Sequence, residues 1–172
     1  HGEVMADGDD GFDRDGGGGS FMIGLLAGTV LGAGLGILFA PFLHASLAHL
    51  VLNTVSFVLL GAFMRFRHRS DLLVVGVVGA LTSGFGAWLL AGAGSVTVGA
   101  SGVIFAYLGF LMARGVFERS LASIALSVLV TWLFGSMVWG ILPTVGAAIS
   151  WQAHLFGLLG GVLWASRVSR SG

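Results

Sequence analysis

The chain contains no cysteine and no lysine, and only 9% of its 172 residues are charged. The absence of cysteine excludes a disulfide framework, thiolate catalysis and zinc–thiolate sites. The absence of lysine and a formal net charge of zero argue against a nucleic-acid partner. Because a soluble domain carries roughly 25% charged residues, the scarcity of charge also argues against a water-soluble globule.

The chain is instead predominantly apolar, with 56% hydrophobic residues and a mean hydropathy of +0.97. A helix needs roughly 20 apolar residues to cross the hydrocarbon layer of a membrane. Lipid offers no hydrogen-bond partners to an open backbone, so we expect each apolar segment to be a helix. The sequence predicts an all-α, polytopic membrane protein, a bundle of six transmembrane helices at about 21–40, 47–64, 71–91, 100–114, 120–139 and 151–166.

Residues 1–20 differ from the rest of the chain, since they are acidic and rich in glycine. Such a composition has too little apolar content to pack, and it predicts a disordered tail. The membrane domain is then expected to span residues 21–168.

Positive charge follows every second segment, and cytoplasmic loops of membrane proteins accumulate positive charge. The loops near 41–46, 92–99 and 140–150 contain no charged residue. This alternation predicts that both termini lie in the cytoplasm. The arginines concerned are Arg65, Arg67 and Arg69 after the second segment, Arg114 and Arg119 after the fourth, and Arg167 and Arg170 after the sixth.

A few polar side chains stand at the starts of the second, fourth and sixth segments: His49 and Asn53, Ser101, and His154. An ionisable or strongly polar group in a membrane helix is costly and indicates function. Even numbers of crossings separate these three starts, so we expect all of them on the extracytoplasmic side. Helix N-termini also direct free N–H groups to that level, which favours a developing anion.

The spacing of these residues predicts which of them can act together. His49 and Asn53 are four residues apart and lie about 40° apart around a helix. His154, Gly157 and Gly161 fall within about 60° of one another. The two glycines leave this face without large side chains, so it could pack on the fourth segment, where Gly102 and Gly109 also lack side chains. Ser101 would then meet His154, the usual base for a nucleophilic serine.

Each of these residues, considered alone, also has a structural explanation that competes with the catalytic one. Ser101 could be an ordinary N-cap, the histidines could form hydrogen bonds between helices, and Asn53 could be a packing residue. A metal site is disfavoured, because no carboxylate or thiolate assists the histidines. The combination of motif and register favours chemistry over these alternatives.

Three runs resemble the three signatures of the rhomboid family of intramembrane serine proteases. They are HASLAHLVLN (44–53), GASGVIFAYLGF (99–110) and AHLFGLLGG (153–161). The runs occur in the order in which the family has them, on its second, fourth and sixth helices. The stretch 36–166 is similar in particular to the short rhomboids of actinobacteria.

The resemblance implies a role for each polar residue. Ser101 would be the nucleophile and His154 the general base, a dyad because Asp71 and Glu118 are expected on the cytoplasmic side. His49, Asn53 and the backbone N–H of Ser101 match the oxyanion stabilisers of the family. The resemblance also implies a bacterial inner-membrane enzyme that cleaves single-pass membrane proteins near the outer face, without metal or cofactor.

Two departures from the family pattern accompany the resemblance. Phe105 stands where rhomboids often have a tyrosine that stacks on the histidine, and the loop between the first two segments, 41–48, is short. One alternative function is therefore an inactive rhomboid relative that binds transmembrane helices. Another is a small transporter or channel that uses His49, Asn53 and His154 as a proton path.

Overall fold

The computed structural model describes residue 31 and residues 47–65, 69–90, 99–144 and 149–170. The regular secondary structure in these ranges is all helix, so the predicted all-α class is confirmed for them. The tail 1–20, the first predicted segment and the loop 41–46 lie outside the described residues, and the count of six helices stays a prediction. The helices are α1 (Leu47–Met64), α2 (Arg69–Leu90), α3 (Ser101–Glu118), α4 (Leu121–Phe134) and α5 (Trp151–Val168), with a 3-10 helix (Gly135–Ile141) after α4.

Within the described ranges, four stretches are long and apolar enough to cross a membrane, which indicates a multi-pass membrane protein. They are Leu47–Met64, Ser70–Leu90, Ser101–Glu118 and Leu121–Ile141, the last of which combines α4 with the 3-10 helix. Among the helices described, α5 is not one of these candidates.

Two helix ends differ from the sequence-based expectation. Helix α3 continues four residues beyond position 114 and ends where Arg119 adopts a left-handed conformation, with φ of 54°. The N–H of Arg119 then donates to the Gly115 carbonyl, which closes the last turn. The fifth predicted segment is α-helical only to Phe134 and tightens into the 3-10 helix from Gly135.

Helix α3 forms the centre of the bundle. Every residue from 102 to 111 on this helix is buried, and α1, α2, α4 and α5 all pack against it. The surrounding helices expose large apolar side chains such as Leu73, Val128 and Trp132. A helix apolar on all sides belongs in the interior of a membrane bundle, and apolar outer faces suit a lipid environment.

Helices α3 and α5 approach each other closely through glycine. At three points a glycine on one helix faces a backbone carbonyl of the other, where even a methyl group would overlap with the carbonyl oxygen. Backbone contact of this kind is typical of small-residue interfaces between membrane helices. It fixes the distance between the first turns of the two helices. The three contacts are Gly157 with Gly102, Gly161 with Ala106, and Gly109 with Leu158.

Candidate active site

Ser101 and His154 meet where α3 and α5 begin. Ser101 is the first residue of α3 and is partly buried, whereas His154 lies in the first turn of α5 and is 8% exposed. The distance between Ser101 Oγ and His154 Nε2 is 2.9 Å, a hydrogen bond. The two residues are 53 positions apart in the chain, and the glycine contacts between α3 and α5 bring them together.

Two further contacts hold the imidazole of His154, one at Nδ1 and one on a face of the ring. Its Nδ1 lies 2.9 Å from the carbonyl oxygen of Gly140 in the 3-10 helix. Because a carbonyl can only accept, Nδ1 carries the proton and donates, and Nε2 of the neutral ring accepts from the Ser101 hydroxyl. The ring of Phe105 stacks on the imidazole with centroids 4.1 Å apart and an interplanar angle of 8°. Serine, histidine and carbonyl therefore form one hydrogen-bonded chain.

A second pair of polar side chains, on α1, lies beside Gly99 near the start of α3. Gly99 has φ of +107°, which a residue with a side chain rarely adopts. A methyl group at Gly99 would lie 3.0 Å from His49 Nε2 and 3.1 Å from Asn53 Nδ2. His49 and Asn53 of α1 therefore converge on the backbone two residues before Ser101. Asn53 is 8% exposed, and its Nδ2 has no acceptor within the described part of the chain.

The two carboxylates of the helices are remote from Ser101. Glu118 lies at the opposite end of α3, about 25 Å away at 1.5 Å of rise per residue. It accepts a hydrogen bond from Ser123 Oγ at 2.6 Å and pairs with Arg114 Nε at 2.9 Å. Asp71 is buried in the first turn of α2. In the ranges that the structure describes, no three His, Asp or Glu side chains are grouped as a metal site requires.

Sequence reasoning missed two backbone features of this site. Gly140 contributes a carbonyl group, which every residue type possesses, so no sequence signal marks it. Gly99 belongs to the GASG run, and a glycine just outside a helix start is the residue type that adopts a positive φ most readily. Its importance for the positions of His49 and Asn53 emerges only from the structure.

A comparison with protein families identifies the chain. The model of the rhomboid domain matches residues 32–171, which include helices α1 to α5 and every polar residue of the site. This chain belongs to the rhomboid family. The prediction made from the three sequence runs is thereby confirmed, and this rhomboid is a member of a family of intramembrane proteases.

Relatives with curated descriptions include both mycobacterial and enterobacterial proteins. Uncharacterized proteins of Mycobacterium tuberculosis and Mycobacterium leprae are each 35% identical to this rhomboid over 141 residues, covering 78% of this chain and 59% and 56% of theirs. The rhomboid protease GlpG of Yersinia pestis is 36% identical over 131 residues, covering 72% of this chain and 44% of GlpG. The chain therefore spans less than two thirds of the length of these relatives.

Proposed function

We propose that this rhomboid is an intramembrane serine endopeptidase in which Ser101 is the nucleophile and His154 the general base. The observation that carries the proposal is the 2.9 Å hydrogen bond between Ser101 Oγ and His154 Nε2, with His154 Nδ1 occupied by the Gly140 carbonyl. A serine hydroxyl becomes nucleophilic when an adjacent base can accept its proton. Here the unprotonated nitrogen faces the hydroxyl.

The reaction begins when Ser101 Oγ attacks the carbonyl carbon of the scissile peptide bond and its proton passes to His154 Nε2. The carbonyl oxygen becomes an oxyanion. When the C–N bond breaks, His154 returns the proton to the departing amine, and an acyl-enzyme forms at Ser101. His154 then takes a proton from water as the water oxygen attacks the ester carbon. When the bond between that carbon and Ser101 Oγ breaks, His154 returns the proton to the serine and the carboxylic acid product leaves.

His49, Asn53 and the backbone N–H of Ser101 are proposed to stabilise the oxyanion. Helix N-termini leave their first N–H groups without partners inside the helix, and Ser101 is the first residue of α3. Asn53 supports the proposal most strongly, because its Nδ2 is buried without an acceptor among the described residues. A donor kept unpaired in the ground state can bond to charge that develops only in the transition state.

The proposed substrates are single-pass membrane proteins cut near the extracytoplasmic face of the bacterial inner membrane. Arg65 and Arg119 lie at the ends of α1 and α3, opposite the end where Ser101 and His154 meet. Because arginine accumulates on the cytoplasmic side of membrane proteins, these positions favour cytoplasmic termini. The proposal includes a membrane domain over 21–168 with six crossings and an acidic tail over 1–20.

Cleavage of a single-pass reporter in liposomes tests this function. We expect the 172-residue chain to release a product, and Ser101→Ala to reduce turnover by about 10⁶-fold, as removal of a serine nucleophile does elsewhere. The variant should keep the helical circular dichroism and thermal midpoint of the wild type, because only one hydroxyl is lost. Equal cleavage by the two proteins would contradict the proposal.

A folded wild-type chain that cleaves none of a panel of reporters would favour the alternative of an inactive relative. Such a protein would still bind transmembrane helices. Copurification of the reporter with both the wild-type and Ser101→Ala proteins would identify that case.

A further inference from the structure

In the 3-10 helix that follows α4, the Gly140 carbonyl has no partner within its own helix. In a 3-10 helix, the carbonyl of residue i accepts from the N–H of residue i+3. For Gly140 that residue is Pro143, which has no N–H. A proline also pushes the residue before it out of the helical conformation, and Leu142 is extended, with φ of −84° and ψ of 142°. The Gly140 carbonyl instead accepts from His154 Nδ1.

A glycine at position 140 allows this contact to form. A methyl group there would lie 3.0 Å from Phe105 Cζ and 3.2 Å from His154 Nδ1. Both distances are tighter than ordinary van der Waals contact, so a side chain at this position would displace either the stacked ring of Phe105 or the imidazole. Gly140 thus supplies the space and Pro143 leaves the acceptor open.

We propose that Pro143 and Gly140 are positioning residues that hold His154 as its Nδ1–H tautomer through the Gly140 carbonyl. In a neutral imidazole one nitrogen donates and the other accepts, and the bond made by one nitrogen selects the tautomer. In a Ser-His-Asp triad a carboxylate makes that bond, and the wrong tautomer lowers kcat by about 10⁴-fold. An uncharged carbonyl performs the same task here. The catalytic importance of this hydrogen bond rests on the proposed protease function.

Nitrogen-15 NMR of histidine-labelled protein in detergent micelles measures the tautomer directly. The signals of His154 are identified by their loss in His154→Ala. At a pH where the ring is neutral, we expect Nδ1 to be protonated and Nε2 to be bare in the wild type. The same tautomer should persist in Ser101→Ala, since the Gly140 carbonyl is retained. An Nε2–H tautomer in either protein would overturn the proposal.

Pro143→Ala tests the origin of the open carbonyl. Alanine restores an N–H at position 143 and frees Leu142 to become helical, so the backbone competes with His154 for the Gly140 carbonyl. We expect the Nε2–H fraction to rise, and the rate at which a fluorophosphonate labels Ser101 to fall in proportion to the lost Nδ1–H fraction. Thr144→Ala is the matched control, because it changes an exposed neighbour and keeps Pro143.

The outcomes separate this inference from the proposed function. A folded Pro143→Ala protein with an undiminished Nδ1–H tautomer would overturn the role of Pro143. Loss of labelling in Pro143→Ala without any change of tautomer would contradict the proposed route. An Nδ1–H tautomer that responds to Pro143→Ala, in a protein that cleaves no reporter, would support the inference and refute the protease function.

Discussion

The interfaces that helix α3 makes with α5 and with α4 are very different. At the α5 interface, glycines of each helix contact backbone carbonyl groups of the other. The carbonyl oxygens lie where a side chain on these glycines would otherwise be. Toward α4 it leaves a groove of about 550 Å³ lined by apolar side chains, among them Val116, Val128 and Trp132. The first interface contains Ser101 and His154. The second lies away from them, in the C-terminal half of α3.

This difference shows where the fold requires exact distances. Side chains can change rotamer, whereas two backbones in contact cannot approach further or slide without disrupting a helix. A hydrogen bond between residues on separate helices needs that rigidity, because a shift of about 1 Å at a catalytic site can cost about 10²-fold in rate. We therefore expect that packing next to the groove can vary without moving Ser101 or His154.

A polar contact between α3 and α4 beside the groove is likewise separate from the site. Ser127 of α4 accepts from the Gly115 N–H at 2.8 Å and donates to the Leu111 carbonyl at 2.7 Å. The hydroxyl therefore joins the donor and acceptor of one turn of α3. This contact stabilises the bundle and includes no residue of the site.

Asn53→Ala is expected to have the largest effect among variants outside the Ser101–His154 pair. Loss of one oxyanion donor should lower kcat by about 10²- to 10³-fold with little change in KM, because the donor acts only in the transition state. Reporter cleavage over a range of substrate concentrations measures both constants. Thr54→Ala is the control, since that neighbour is exposed and bonds to its own helix. A raised KM with unchanged kcat would assign Asn53 to substrate binding.

Gly157→Ala should have the next largest effect, because its methyl group would collide with the Gly102 carbonyl. We expect a loss of about 1–3 kcal/mol in the free energy of unfolding from overpacking, and cleavage slowed by about 10²-fold if the helices separate by 1 Å. Unfolding in mixed micelles and reporter cleavage are the measurements.

Gly135→Ala is the matched control for Gly157→Ala. A methyl group at Gly135 would make only an ordinary contact with Thr131, at 3.5 Å. Equal effects of the two variants on cleavage would contradict the distinction between the α5 interface and the rest of the bundle.

Ser127→Ala should have the smallest effect and should act on stability alone. Hydrogen bonds between membrane helices contribute on average about 0.6 kcal/mol and at most about 1.7 kcal/mol, so we expect a loss in that range. The kcat of the folded fraction should be unchanged. Val128→Ala, in the exposed wall of the groove, should change the unfolding free energy by less than about 0.5 kcal/mol. A large loss of kcat in Ser127→Ala would mean that α4 also positions the site.

The sequence predicted the all-α class and the family, because apolar length and three short runs are local properties of the chain. It also predicted that Ser101 and His154 could share one level of the membrane, since topology alone places helix starts on one side. The Gly140 carbonyl could not be predicted, because backbone groups have no residue identity. The role of Pro143 was equally hidden, since it depends on the 3-10 helix that replaces the α-helix after Phe134.

Covalent labelling of Ser101 by a fluorophosphonate tests the central claim most directly, since it reports on the nucleophile without a natural substrate. In this reaction the oxygen of Ser101 bonds to phosphorus and fluoride leaves. The account predicts that mass spectrometry finds the label on Ser101 in the wild type, and that a folded His154→Ala protein is unlabelled over the same period. Equal labelling of the His154→Ala protein, or a label on another residue, would contradict it.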